Sequence, residues 1–220
     1  MVQSSEQIPN QLKFEDPWRV FRIMAEFVSG FEQFAEINNA VTIFGSARTK
    51  PEDPMYQKTV KTAELFVKEG FAVITGGGPG IMEAGNKGAK ESGGESIGLN
   101  IDLPFEQKPN PFITRLVNFH YFFIRKVMFL KYAKAFVVFP GGFGTLDELF
   151  ECITLVQTRR VQTCPIVLVG KDFWGDMVKW VENKLLGEKK INPTDMELFH
   201  VVDEPHEAVQ VVKDFYKNNK

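Results

Sequence analysis

From Val41 to the C-terminus, short apolar runs alternate with stretches long enough for helices. This rhythm limits the possible folds more than any other feature of the chain. The runs fall at residues 41–44, 71–75, 96–99, 114–119, 135–139, 165–169 and 199–202, and helices are expected at about 54–69, 80–92, 120–133, 145–158, 173–186 and 205–217. Gly70 suits the stop of the first of these helices. Runs such as AFVVF and PIVLV are apolar at every position, which suits strands buried on both faces. Regular alternation of this kind predicts an α/β domain: a mainly parallel sheet of about seven strands between two layers of helices.

The N-terminal region reads differently. Residues 1–13 are polar, and a mobile terminus is expected there. Asp16-Pro17 is a helix-opening pair, and Trp18, Phe21, Ala25, Val28, Phe31 and Ala35 recur at helical spacing, so an amphipathic helix is expected over 17–38. With 220 residues, 14–220 is expected to form one domain carrying that extra helix. Lys and Arg number 26 against 28 Asp and Glu, a balance that argues against a broad nucleic-acid-binding surface. No apolar run approaches the ~20 residues of a membrane span. The opening MVQSSEQIPNQ has neither a basic nor an apolar leader segment, so the cytoplasm is the expected location. Cys152 and Cys164 form no CxxC and the three histidines are scattered, so neither a disulfide framework nor a zinc site is expected. Residues 100–111, NIDLPFEQKPNP, have three prolines and no periodicity; they read as a functional rim loop or as a rigid surface excursion.

Three small-residue turns each lie between a strand and a helix start: Gly45-Ser46-Ala47-Arg48, Gly76-Gly77-Gly78-Pro79-Gly80, and Pro140-Gly141-Gly142-Phe143-Gly144-Thr145. Ligands of open parallel sheets bind beyond the carboxyl ends of the strands. Glycine lets backbone approach a ligand, and free N–H groups at a helix start favour an anion. Three such turns on one sheet edge point to a phosphate-bearing ligand. Gly80 to Gly85 has P-loop spacing, but Asn86 follows where lysine is required, which argues against an NTPase. The dinucleotide fingerprint is incomplete, with Ile81 in place of its third glycine, which leaves NAD as a lesser alternative.

Thr145 and Glu148 have the T-x-x-E spacing of a capping box, which would make Glu148 a helix-start carboxylate. The functional reading places that carboxylate one turn beyond the phosphate cradle, beside an attached sugar. Upstream, Arg125 and Lys126 lie within the aromatic stretch YFFIRKVMF, and Arg125 and Met128 share a helix face. Phe122, Phe123 and Phe129 read as core or subunit-interface residues.

PGGFGTLDE at 140–148, preceded by Arg125-Lys126, resembles the signature of the Lonely Guy (LOG) family, often mislabelled lysine decarboxylase; the likeness runs from about Val41 onward and includes GGGPGIMEAGNKGA. The resemblance implies a Rossmann-like three-layer fold and a homodimer. It implies hydrolysis of nucleoside 5′-monophosphates, AMP or cytokinin riboside monophosphates among them, to free base and ribose 5-phosphate, with no cofactor. It assigns Arg125 and Glu148 as the catalytic pair. It places Ser46, Gly77, Gly78, Glu106, Lys126, Met128, Gly141, Gly142, Phe143, Gly144, Thr145 and Thr154 around the substrate. The plant-like MHxRK pattern is not kept, since Phe122 and Phe123 stand in that stretch; with the extra helix, this resembles the longer bacterial subgroup and leaves base preference open. Breaking a C1′–N bond builds positive charge on the ribose, which Glu148 would stabilise as nucleophile, base or electrostatic partner. Nothing marks a lysine for pyridoxal phosphate. The alternative is a non-hydrolytic nucleotide or molybdenum-cofactor carrier of related fold, which has no need of an Arg125/Glu148 pair.

Overall fold

Seven strands form the expected sheet: β1 (Ala40–Phe44), β2 (Ala72–Thr75), β3 (Ser96–Ile101), β4 (Arg115–Phe119), β5 (Ala133–Val138), β6 (Ile166–Val169) and β7 (Phe199–Val202). They lie in the order β4-β3-β2-β1-β5-β6-β7, and every neighbouring pair is parallel. The helices are α1 (Trp18–Gln33), α2 (Pro54–Lys68), α3 (Ile81–Glu91), α4 (Phe122–Tyr132), α5 (Phe143–Gln157), α6 (Lys171–Trp180) and α7 (Pro205–Asn218). This computed structural model describes residues 18–102 and 108–218. The expected mobile stretch 1–13, the Asp16-Pro17 helix start and Glu106 lie outside the described residues. No helix among the described residues is long and apolar enough to cross a membrane.

Strand periodicity sorts the apolar side chains into two cores. In β1, Ala40 and Phe44 face one layer and Val41 and Ile43 the other. In β5, Phe136 and Val138 face the first layer and Ala135 and Val137 the second. The first core is closed by Phe34, Met128 and Phe129, Leu149 and Trp174, and the second by Phe66, Ile81 and Val209. Every residue of β1, β2, β3 and β6 is buried, which is why β2 and β6 read as near-continuous apolar runs; β3 alternates, yet its Ser96, Gly98 and Asn100 are buried as well. Cys152 and Cys164 are free thiols in the first core, and burial pushes the Cys164 thiol up to about 11.

Two expectations are corrected. The buried face of the first helix is rotated from the predicted one: Trp18, Phe21 and Val28 stand more than half exposed, and of the predicted stripe Phe31 packs on the core, joined there by Ile23 and Phe27. That helix ends at Gln33 rather than near residue 38, because Phe34 turns in to stack on Tyr132 at 4.9 Å and Ile37 follows it into the core. Elsewhere, α6 widens into a π-type turn over Val181–Leu186, and a short 3-10 helix at Pro193–Leu198, capped reciprocally by Asn192 and Asp195, was not expected from the sequence.

The strand order fixes where a ligand fits. The chain runs outward from β1 to β4, then α4 carries it back across the sheet to β5, on the other side of β1. The loops after β1 and β5 therefore leave in opposite directions and open a crevice between them, at the topological switch point of the sheet.

Candidate active site

The three glycine turns meet in this crevice, and Ser46 stitches them together. Its N–H donates to the Pro140 carbonyl at 3.0 Å, and its own carbonyl accepts from the Ile81 N–H at 3.0 Å. That close approach demands glycine at Gly80, where φ is +70° and an added Cβ would lie 2.3 Å from the Ser46 oxygen. Together the turns wall a cavity of about 880 Å³.

At one end of the cavity α5 begins. Gly142 precedes it in extended conformation, no side chain caps it, and the Leu146 N–H is the first to bond back, to the Gly142 carbonyl at 3.0 Å. The N–H groups of Phe143, Gly144 and Thr145 therefore have no partner within the helix, and all three residues line the cavity. Such a helix start is an anion cradle. The same geometry corrects the capping-box expectation. Thr145 already sits inside the helix, so Glu148 lies in its second turn and caps nothing.

Glu148 is buried on the cavity wall. Burial pushes its carboxyl up from 4.5 to about 7; Lys126 and Arg125 pull it down, and Glu151 and Asp147 add to the rise. Facing it from α4 is Arg125, whose guanidinium lies between the Phe122 and Phe129 rings at 5.2 and 5.5 Å. Burial draws the Arg125 pKa below its ordinary value while the charge of Glu148 works against that shift. The two side chains feel each other but form no ion pair within 4 Å, and the buried Arg125 Nε–H has no hydrogen-bond partner. An unmade charged hydrogen bond in a buried place is costly, so this guanidinium is built to receive an acceptor.

Lys126, next in sequence, points the other way. Its ammonium forms ion pairs with Asp147 and Glu151 of α5, each at 2.8 Å. Burial works to lower its pKa, but these two carboxylates and the nearby Glu148 overcome that and hold it above the ordinary lysine value. The pair of bonds clamps α4 to α5 and so keeps Arg125 facing Glu148.

The structure thus gathers Ser46, Arg125, Gly141, Gly142, Phe143, Gly144, Thr145 and Glu148 around one cavity. Lys126 and Thr154 line an adjoining shallow depression of about 570 Å³, which shares Phe143, Leu146 and Asp147 with the main cavity. Gly77 and Gly78 are buried behind the wall and Gly76 takes the lining position. Their carbonyls accept hydrogen bonds from the Asn110 amide at 3.1 and 3.0 Å. That amide also bonds Asn86, which in turn bonds Thr75 and Ser96. Asn86, in the position of a P-loop lysine, therefore holds the glycine turn in place from behind. Met128 is not on the cavity; it is fully buried in the core, where it packs against Gly30 of α1. Glu106 lies outside the described residues. Arg48, Met82 and Asn100 line the cavity without having been expected there. Arg48 belongs to the first glycine turn and was within reach of sequence reasoning, whereas Met82 and Asn100 are brought in only by strand order.

A family model described as "possible lysine decarboxylase" matches residues 82–212, more than half of the chain. The pyrimidine/purine nucleotide 5′-monophosphate nucleosidase of Escherichia coli K12 is 28% identical over 145 residues, covering 61% of this chain and 32% of the relative. The chain thus spans about a third of that relative's length. The cytokinin riboside 5′-monophosphate phosphoribohydrolase of Mycobacterium tuberculosis is 32% identical over 145 residues, covering 64% of this chain and 76% of the relative. Among solved structures, the molybdenum cofactor binding protein of Rippkaea orientalis superposes with a TM-score of 0.59 at 16% identity, over 81% of this chain and 98% of that one. The molybdenum cofactor carrier protein of Chlamydomonas reinhardtii gives 0.58 at 21% identity, over 82% and 99%. At such identities these two show a shared fold.

Proposed function

The chain belongs to the LOG family, and from that premise we propose that it hydrolyses the N-glycosidic bond of nucleoside 5′-monophosphates, releasing free base and ribose 5-phosphate. The observation that carries this reading is the convergence of a buried carboxylate and a buried, unpartnered guanidinium beside an anion cradle. The names of the E. coli and M. tuberculosis relatives support the same bond and substrate class.

In this mechanism the 5′-phosphate sits on the free N–H groups of Phe143, Gly144 and Thr145. The ribose then lies against the next turn of α5, beside Glu148. As the C1′–N bond breaks, its electron pair leaves with the base and positive charge grows on C1′ and the ring oxygen. Ionised Glu148 opposes that charge. Water supplies hydroxide to C1′ and a proton to the base. Arg125 keeps Glu148 ionised and offers its Nε–H to an acceptor on the substrate. Binding energy from the remote phosphate is used at the reacting centre, so a nucleoside without phosphate reacts poorly.

The decarboxylase description fits these residues badly. A Schiff-base lysine needs a lowered pKa. Among the described residues no lysine lines the cavity, and Lys126 beside it is held protonated by two carboxylates. AMP and cytokinin riboside monophosphates are the proposed substrates, and the cytoplasm is the proposed location. A homodimer is the proposed assembly, since Phe122, Phe123 and Val127 of α4 and Phe150 of α5 leave apolar surface exposed beside the cavity.

Chromatography of mixtures containing matched monophosphates and nucleosides tests the reading. Base release from the monophosphates alone supports it. Tight nucleotide binding without base release would instead favour a carrier.

A further inference from the structure

The first helix lines no part of the cavity, yet one of its carboxylates reaches the helix that carries Arg125. Glu26 of α1 is mostly buried and reaches the turn between β4 and α4. Its Oε1 accepts from the backbone N–H of His120 at 3.1 Å and of Tyr121 at 3.2 Å, and its Oε2 lies 3.2 Å from the His120 ring Nδ1. The other ring nitrogen of His120 lies 3.1 Å from the Asp102 carboxylate, at the end of β3, where Asn100 and Ile101 line the cavity. Tyr121 is the N-cap residue of α4 and its own side chain makes no capping bond; Glu26 instead holds its backbone N–H and that of His120 before it. Tyr121 is also the residue whose carbonyl receives the Arg125 N–H, at 3.3 Å. One residue, Tyr121, therefore links the Glu26 carboxylate, at its N–H, to the backbone of Arg125, at its carbonyl.

We propose that Glu26 is a positioning residue for Arg125: by holding the Tyr121 end of α4 it sets where the guanidinium stands relative to Glu148. The proposal rests on the reading of Arg125 and Glu148 as the reacting pair. Ile124 is fully buried and the Phe123 ring lies 6.4 Å from the Phe27 ring of α1, while Phe122 and Phe123 stay about half exposed, so packing and the Glu26 contacts together define the entry of α4. The Lys126 clamp fixes α4 against α5 one residue beyond Arg125, and Glu26 fixes its other end.

The test has two readouts on the full chain. The first is the ionisation of the Glu148 carboxyl, followed by carbon-13 NMR. Its charged neighbours are Lys126 and Arg125, which lower it, and Glu151 and Asp147, which raise it. Glu26→Ala is expected to withdraw Arg125 and move the Glu148 titration upward from about 7, and Glu26→Gln, which keeps an acceptor oxygen, to restore it. His120→Ala, which leaves both backbone N–H groups on Glu26, is expected to leave the titration in place. The second readout is the kinetics on a nucleoside monophosphate. Misplacement of a catalytic group by about 1 Å costs up to ~100-fold, so Glu26→Ala should lower kcat by roughly that order with little change in KM, and Glu26→Gln should recover most of it.

A wild-type Glu148 titration in folded Glu26→Ala overturns the proposal, as does equal damage from Glu26→Ala and Glu26→Gln. Where Glu26→Ala fails to fold, Glu26→Asp, which keeps the charge but withdraws it from the N–H pair, decides by the same titration. The NMR readout needs no turnover. Failure of the hydrolase reading would show as absent base release from the wild type, and failure of the Glu26 proposal as an unmoved titration.

Discussion

Glu148 carries the sharpest predictions at the scale of single residues. Its carboxyl ordinarily titrates at 4.5 and is held at about 7 in the folded chain, chiefly by burial. Below 4.5 both folded and unfolded chains are protonated there, and the group adds no ionisation-linked cost to folding. As pH rises, the unfolded chain ionises first, so stability falls until the folded group also ionises near 7. Above that the full cost remains, about 3 kcal/mol for this displacement. Glu148→Gln should therefore be more stable than the wild type at pH 8 by up to about 3 kcal/mol, with most of the difference gone at pH 5. Urea unfolding at the two pH values measures it. The same group predicts that kcat/KM rises as pH passes through about 7, because the ionised form opposes the charge on the ribose. Arg125→Ala removes one of the two cations that lower Glu148. It should move that limb of the profile upward and reduce turnover while the fold persists; an unfolded variant would make Arg125 a structural residue.

At the scale of elements, the glycines of the three turns separate into two kinds. Gly80 is required by backbone: its φ is positive and a Cβ would strike the Ser46 carbonyl. Gly80→Ala should destabilise the fold by about 1–3 kcal/mol, through the strain alone. Gly144 has nothing within 4 Å of an added Cβ, so Gly144→Ala should keep the melting temperature while raising KM for a monophosphate at the cradle. Thermal melts read beside KM values separate the two. Sequence showed the glycines, but not which kind each is, because the distinction depends on what lies opposite. The strands were legible because apolar residues of strand length recur at regular spacing, most plainly in IVLV of β6 and in AFVV within β5, while β3, β4 and β7 carry polar residues among them. The start of α5 was misread because Thr145 and Glu148 have capping-box spacing, yet Gly142 had already opened the helix. The buried face of α1 was legible only in part because apolar residues cover more than one stripe of it: Phe31 was expected there, whereas Ile23 and Phe27 join the core only through the packing of the folded chain. The facing of Arg125 and Glu148 was implied by family likeness, while their geometry depends on the return of α4 across the sheet.

At the scale of the whole molecule, the switch point explains why one cavity collects residues from turns far apart in sequence. The β1 and β5 turns diverge, α3 and α5 start at its walls, and α4 lies across it. The exposed apolar face of α4 and α5 borders that cavity, which ties the proposed dimer to the site. Phe123→Glu places charge on that face and should convert a dimer to monomers in sedimentation velocity. A wild-type chain that sediments as a monomer would remove the dimer from the account. The measurement that tests the central claim most directly is base release from a nucleoside monophosphate by the wild type and by Glu148→Gln, with nucleotide binding to both measured by calorimetry. The account predicts free base and ribose 5-phosphate from the wild type, loss of release in the variant, and retained binding in both. Equal release from the two proteins, or binding without release from the wild type, would contradict it.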